Sequence, residues 1–548
     1  MINNNEIWND LVKKLPEPDS APQSGSLLPQ ESVGAGQGNL LSGDIIKLPG
    51  NGVAIIDCAE DLFMRIAGTE TMFRRGGAIV KILPDSFGKL QLNPISPAAF
   101  RSQIENFGRT FAWRTGANGH AVLKPTVCPE ETAKALMATD AAQRFLQPIS
   151  MITDCAVLTE RNGQPEVLGK GYHSDLGGLL VTTGTLPMQL GAKLGAQILA
   201  WLIQEFDFHT PGDRARAFAM LLTPAMKMGG IISDHVPIAV LEANSSQTGK
   251  TYFAKLVAAL YGEHPAIVPL RKGGVGSVDE SFGQALVGGR PFILFDNFRG
   301  RLDSTYLESF LTATGSFPTR IPHCGNILID PDRFILMMTS NGADITPDLA
   351  NRSCIIRINK RERFQFRSYS AGGLLQFVQA NRPLILGSVF SVIIAWLRLG
   401  KPTTKNVEHD FRQWAQSLDW ICQMSGFCSP LVDHRKAQER VSNPSLTFLR
   451  NVAIAVRSNG RSGQKLSAGD LCAICENADI KIPGHTSADE GSAKRLVGTI
   501  MSRIFGDMNV VTVEEVEIRR TQSMEKRDTG GDYSAKFYQF NFHSPSPV

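Results

Sequence analysis

Gly249, Lys250 and Thr251 close the segment Val236-Pro-Ile-Ala-Val-Leu-Glu-Ala-Asn-Ser-Ser-Gln-Thr-Gly-Lys-Thr. An ammonium and a hydroxyl in that order can grip a nucleoside triphosphate. The lysine reaches the β- and γ-phosphates and the threonine ligates Mg²⁺. The usual phosphate loop opens on glycine, and here Asn244 stands in its place, followed by Ser245, Ser246, Gln247 and Thr248. Asparagine tolerates positive φ better than most residues, so the turn can still form. Its successive N–H groups would wrap the phosphates, and the next helix would point its positive end at them. Gly-Lys-Thr also arises by chance. The apolar run before it and the helical period after it (Phe253, Leu256, Val257, Leu260) favour the loop.

Two later segments carry matching groups. Pro291-Phe-Ile-Leu-Phe ends in Asp296 and Asn297, and Arg333-Phe-Ile-Leu-Met-Met-Thr-Ser ends in Asn341. All three runs read as buried parallel strands. Ligands of open α/β sheets bind at the carboxyl ends of strands, so one nucleotide can touch all three. A carboxylate at Asp296 suits Mg²⁺, directly or through water; the alternative is that it merely begins a turn. Many such sites place glutamate next, but here Asn297 follows, which leaves the general base open between Glu242 and Glu280. Asn341 can hydrogen-bond the γ-phosphate or the attacking water, although Asn-Gly pairs are often turns. Arg352, in Asp348-Leu-Ala-Asn-Arg-Ser before a last apolar run, suits a finger reaching a neighbouring subunit's ATP. It could equally be an ordinary ion-pair partner.

The order of phosphate loop, Leu-Phe-Asp296-Asn297, Leu311-Thr312, Thr339-Ser-Asn341 and Asp348-Leu-Ala-Asn-Arg352 resembles the AAA+ ATPases of superfamily III helicases. More closely it resembles the helicase module of phage and plasmid primase–helicase proteins, over roughly Pro125 to Trp414. The resemblance implies ATP and Mg²⁺ as cofactors, and ring oligomers, usually hexamers, that translocate on single-stranded or forked DNA. It also implies a pore hairpin before the third strand. The matching stretch is Phe317-Pro-Thr-Arg-Ile-Pro-His-Cys-Gly-Asn-Ile-Leu-Ile, which makes Arg320, His323 and Asn326 candidate DNA contacts. A plain connecting hairpin is the alternative. The chain departs from the family at Asn244 and Asn297.

Composition bounds the rest. At 548 residues the chain should hold roughly three or four domains. It is 43% hydrophobic and 20% charged, which suits a globular protein. A net charge of +4 is too mild to argue nucleic-acid binding alone. Nine cysteines without regular spacing point to reduced thiols and a cytoplasmic setting. Cys472 and Cys475 have metal-like spacing but sit in an apolar helical stretch, which reads better as buried structural cysteine. The polar, acidic N-terminus predicts no secretory signal. The greasiest run, Pro383 to Leu397, is too short for a bilayer and reads as a buried helix, so no membrane partner is expected.

The fold class expected is α/β multidomain: an AAA+ P-loop core, a small α+β N-terminal domain and a C-terminal winged helix. The boundaries read as a flexible Pro/Ser/Gln/Gly-rich tail over 1–44, the α+β domain over 45–125 and a collar or linker over 126–225. The ATPase core covers 226–365, its helical flank 366–440 and the winged helix 441–548. The linker begins with a helical stretch from Glu130 to Leu146. Its last helix is capped by Thr210, with Pro211 at the first position and Asp213 in the first turn. No Asp-x-Asp metal pair precedes the phosphate loop, so a primase would be a separate partner.

In the last hundred residues Ser467-Ala-Gly-Asp470 resembles a capping box. A second helix runs from Ser492 to Phe505, a strand from Val510 to Ile518, a polar loop from Thr521 to Ser534, and a last strand from Lys536 to Phe542. That is winged-helix order. Lys494, Arg495, Arg519, Arg520, Lys526 and Arg527 are the DNA candidates, and protein contact is the alternative use. Three functions follow: a ring helicase replicating a mobile element, an AAA+ switch that assembles on DNA without unwinding, and a small-molecule kinase. Length, the place of Arg352 and the lack of a compact lid disfavour the kinase.

Overall fold

A computed structural model describes residues 45–116, 119–243, 248–269, 276–298, 301–321, 325–341, 343–361, 369, 372–485, 490–513, 516–526 and 532–542. The chain is mixed α/β and divides into two compact units. The first runs to Asn297 and adds Ser304–Asn341 and Cys354–Val432; the second takes Phe298–Asp303, Gly342–Ser353 and everything from Asp433 onward.

The centre of the first unit is a five-stranded parallel sheet. Its strands are β1 (Ile238–Ala243), β2 (Ala266–Val268) and β3 (Phe292–Phe298), then β6 (Ile335–Asn341) and β7 (Ser353–Arg357). Between β3 and β6 the chain makes a hairpin of β4 (Phe317–Ile321) and β5 (Gly325–Ile329). The order across the sheet is β2-β3-β6-β1-β7. Every residue of β1 is buried, and so are the first six of β6. A strand covered on both faces is apolar along most of its length, which explains the hydrophobic runs that precede Glu242 and Thr339.

Helix α1 (Lys250–Leu260) follows β1, α2 (Val278–Gly288) precedes β3, and α3 (Thr305–Leu311) precedes the hairpin. Phe253, Leu256, Val257 and Leu260 all face inward on α1. They share one apolar cluster with the helices Ala192–Leu202 and Pro211–Met228 and with α5 (Leu374–Ala380), α6 (Arg382–Arg398) and α7 (Arg412–Met424). The short helix α4 (Pro347–Asn351) precedes β7 in the chain. The helix from Pro211 starts on a full capping box between Thr210 and Asp213. Trp396, Phe411, Trp414 and Leu418 are core residues, and the Trp414 indole donates to Thr223 Oγ1 at 3.0 Å. Among the described residues no single helix is long and apolar enough to cross a membrane.

The N-terminal part pairs Met72–Arg75, Ala78–Pro84 and Leu90–Pro94 in one antiparallel sheet, and Ile45–Lys47, Arg109–Thr115 and Ala121–Pro125 in another. The helical stretch expected from Glu130 to Leu146 is two helices, Glu130–Met137 and Ala141–Phe145. They pack their alanines and Leu136 into the core built by Leu62, Phe63 and Phe100. The apolar side of this body therefore runs on past Pro125.

Two features fasten the N-terminal part to the sheet. Arg75 is buried and donates to the carbonyls of Leu286 (3.0 Å) and Val287 at the end of α2. A cation at a helix C-terminus meets both the orphan carbonyls and the negative end of the dipole. The next residue, Gly76 (φ +49°), accepts the N–H of Leu328 in β5 at 3.2 Å. The second feature is a buried charge cluster. Arg290 donates to Asp154 Oδ2 (3.1 Å) and to Glu263, Lys89 donates to Asp154, and Glu263 also accepts from Thr153 and from the Asp154 N–H, both at 2.8 Å. Burial raises the Asp154 carboxyl, but hydrogen bonds from Lys89 and Thr182 and the charge of Arg290 hold it well below the usual carboxylate range.

The second unit continues through α8 (His434–Ser442), α9 (Pro444–Ser458), β8 (Lys465–Ser467), α10 (Ala468–Asn477) and α11 (Glu490–Phe505). Then come β9 (Val510–Val513), β10 (Val516–Lys526) and β11 (Asp532–Phe542). The sheet is antiparallel in the order β8-β11-β10-β9. Ser467 and Asp470 form both halves of a capping box. Cys472 and Cys475 are buried on α10, and burial pushes the Cys475 thiol up to about 12.

The single strand expected from Val510 to Ile518 is instead two antiparallel strands, β9 and the start of β10, with Val513 opposite Val516. Most of the loop expected from Thr521 to Ser534 is paired strand, in register from Thr521↔Phe537 to Lys526↔Asp532. In a two-stranded ribbon backbone pairing satisfies the peptide groups, so polar side chains need no buried face and leave no hydrophobic alternation to read.

A side chain at Gly76 would place its Cβ 2.0 Å from the Leu328 carbonyl oxygen. Gly76→Ala should therefore destabilise the first unit by roughly 2 kcal/mol or more, combining left-handed strain with the clash, read as a lower thermal midpoint. The Asp154 carboxyl sits below its ordinary value of 3.8 when folded. Its stabilising contribution is complete above pH about 4 and is lost as pH falls further, so Asp154→Asn should flatten the acid limb of a melting-temperature profile.

Candidate functional site

The sheet order places β6 between β1 and β3. Ala243 lies opposite Asn341 and Leu241 opposite Thr339 in the β1–β6 register. Residues two apart on a strand share a face, so Thr339 and Asn341 point the same way. The carboxyl ends of the three strands thus meet beside the start of α1.

Gly249 takes a left-handed conformation (φ +90°) as the residue before α1, a geometry for which glycine carries no steric cost. Lys250 follows it, only 8% exposed, and its ammonium donates to Asn341 Oδ1 at 2.7 Å and Thr248 Oγ1 at 3.2 Å. Thr251 Oγ1 donates to Asp296 Oδ1 at 2.7 Å. Thr339, 1% exposed, donates to the same oxygen at 2.7 Å and accepts the N–H of Asn297, also at 2.7 Å. Asn297 itself is left-handed (φ +54°). Four expected site residues therefore lie in two adjoining hydrogen-bonded pairs, Lys250 with Asn341 and Thr251 with Asp296.

The donors fit a magnesium–triphosphate. A hydroxyl and a carboxylate 2.7 Å apart are hard oxygen ligands of the kind Mg²⁺ takes, and a buried ammonium at a helix N-terminus suits a phosphate. When bound, Mg²⁺ would neutralise phosphate charge.

Other expected residues fall elsewhere. Asn244, Ser245, Ser246 and Gln247 lie outside the described residues, as do His323 and Arg527. Glu242 is buried on β1 opposite Ser340. Glu280 sits in the first turn of α2 and accepts the Gly276 N–H, so it serves its own helix start. Arg352 ends α4 and donates to Asp348 Oδ1 at 2.8 Å. Arg320 and Asn326 are exposed and directly opposite each other on the β4–β5 hairpin.

On α11 Lys494 and Arg495 are exposed, while Ala493, Val497, Ile500 and Met501 face the core. Arg519 pairs with Glu517 at 2.6 Å. Arg520 donates to the Gly506 carbonyl at 3.1 Å and lies over the Phe505 ring. Thr339 is the residue the sequence reading gave no role. Its signal was its position two before Asn341, which puts both on one face of β6.

No family model matches this chain, and no curated protein sequence does. Among solved structures it is similar to one described as SCCmec type IV Cch, an active helicase, at 14% identity and a TM-score of 0.29. That alignment covers 84% of this chain and 90% of the other. Likeness at that level carries no argument, and the functional reading rests on the residues above.

Magnesium–ATP should raise the melting midpoint of the full chain, because a ligand that binds only the folded state stabilises it by mass action. Lys250→Ala and Asp296→Asn should each lose most of that rise, measured by calorimetry with and without EDTA.

Proposed function

We propose that this chain is an ATP-dependent DNA helicase or translocase with an AAA+ core, working as a ring oligomer in replication of a mobile genetic element. The observation that carries the reading is the meeting of Lys250, Thr251, Asp296 and Asn341 at three neighbouring strand ends. Lys250 would bind the β- and γ-phosphates, with Thr248 and Gly249 forming the described end of the loop. Thr251 and Asp296 would hold Mg²⁺. Asn341 would orient the γ-phosphate or the attacking water, releasing Lys250 to the phosphates. Asn297 cannot act as a carboxylate base, so water activation would fall to another group.

Further features support a motor on DNA. The β4–β5 hairpin precedes β6 and carries exposed Arg320 and Asn326. Arg352 ends a short helix directly before β7, where a finger into a neighbouring subunit would sit; the hexamer is the ring the resemblance implies. The order helix, strand, two helices and antiparallel strands in the second unit supports a winged helix. There Lys494 and Arg495 on α11 would face DNA.

The second reading is a DNA-bound switch that hydrolyses ATP without unwinding. It is favoured by Arg519 and Arg520, whose charges are engaged by Glu517 and by the Gly506 carbonyl and Phe505 ring rather than turned freely to phosphate.

Forked DNA separates the two readings. Wild type should displace the strand with ATP and Mg²⁺, and Lys250→Ala should fall by on the order of 100-fold or more. DNA-stimulated hydrolysis without strand displacement would establish the switch. Mixing Lys250→Ala with Arg352→Ala chains should restore part of the turnover at hybrid junctions. Co-assembled mixtures that stay inactive would refute a trans role for Arg352.

A further inference from the structure

Thr339 is the residue that holds this site together without being assigned to it. We propose that it is the positioning residue for the metal-binding carboxylate: its hydroxyl fixes Asp296 and, by taking the Asn297 N–H, sets the left-handed backbone beside the carboxylate near the end of β3. The inference rests on the triphosphate reading and deepens it.

The geometry runs through one hydroxyl. Thr339 Oγ1 accepts from Asn297 N at 2.7 Å and donates to Asp296 Oδ1 at 2.7 Å. A hydroxyl has one proton, so accepting the amide leaves that proton directed at the carboxylate. Hydrogen bonds in such a chain polarise one another, and the one to the ionised group is the stronger kind. Thr339 is β-branched, 1% exposed and on an interior strand, so its χ1 is restricted.

Asp296 Oδ1 receives two hydroxyls, those of Thr251 and Thr339. They differ in what else the hydroxyl serves. Thr251 is the expected metal ligand and can offer Mg²⁺ a lone pair while its proton stays on Asp296. The χ2 torsion of an aspartate is broad, so a carboxylate without a fixed partner samples many orientations. Thr339 lies outside the expected ligand set, so its proton serves only to orient Asp296. Its second bond explains Asn297. The chain is left-handed there (φ +54°), a conformation that asparagine tolerates and most larger side chains resist. On this account Asn297 follows Asp296 for its backbone, which delivers an N–H to Thr339.

The test is equilibrium binding of a fluorescent ADP to the full chain, with Mg²⁺ and with EDTA, alongside melting of the nucleotide-free protein. Wild type should bind more tightly with Mg²⁺. Thr339→Val keeps the shape and loses the hydroxyl, and it should weaken the Mg²⁺-dependent gain about tenfold while leaving binding in EDTA little changed. Thr339→Ser should restore the gain. If Thr339→Val does not fold, Thr339→Ala removes the same hydroxyl with less demand on packing, and the same loss is expected.

An undiminished Mg²⁺ gain in a folded variant lacking the hydroxyl would overturn the inference and leave the triphosphate reading standing. Equal losses with Mg²⁺ and with EDTA would also overturn it, since they would mark Thr339 as structural only. Wild-type protein that binds no nucleotide under either condition would sink the triphosphate reading, and this inference with it.

Discussion

An ammonium removed from water must meet oxygens, and an ionised carboxylate beside it must meet donors. Lys250 and Asp296 satisfy this demand through residues of a third strand. Lys250 reaches Asn341, and Asp296 takes Thr339, both from β6. Lying between the phosphate-loop strand and the carboxylate strand, β6 supplies a partner to each. Move β6 to an edge and both charged groups lose their second strand. The site is therefore built on the pairing of three interior strands.

The hairpin is tied to the same strands. The hairpin of β4 and β5 leaves the sheet after α3 and returns into β6, so its base is covalently continuous with the strand carrying Thr339 and Asn341. The N-terminal part grips the same region. Arg75 caps α2 and Gly76 accepts from Leu328 on the hairpin's return strand. Such a close backbone approach demands glycine, because any Cβ would overlap the Leu328 carbonyl. The N-terminal part is thus a brace for the hairpin. Asp154, Glu263, Arg290 and Lys89 fasten it further by charges that are each paired, the condition under which buried ions are tolerated.

The second unit distributes its cations unevenly. Lys494 and Arg495 are exposed on α11, whereas Arg519 and Arg520 make their hydrogen bonds locally. A surface whose charges are already engaged binds phosphate less strongly than a count of arginines suggests, because binding must first break those bonds.

Much of this protein was legible from its residues. Unbroken apolar runs specify strands buried on both faces, and the polar groups at their ends mark where chemistry can occur; Lys250, Thr251, Asp296 and Asn341 could be named for that reason. The cap at Thr210 and the capping box at Ser467 were legible because they are local, formed within one turn of chain. The ribbon of β10 and β11 was not, since its stability lies in cross-strand backbone pairing that side-chain alternation does not record. Nor was Thr339 legible as a partner of Asp296, because 43 residues separate them and only the placement of β6 beside β3 brings them within a hydrogen bond. The sequence alone determined which groups this protein has to offer, through local spacing and hydrophobicity. The tertiary structure decided which of them share a proton or a charge, because strand order is set by long-range packing that no single segment contains.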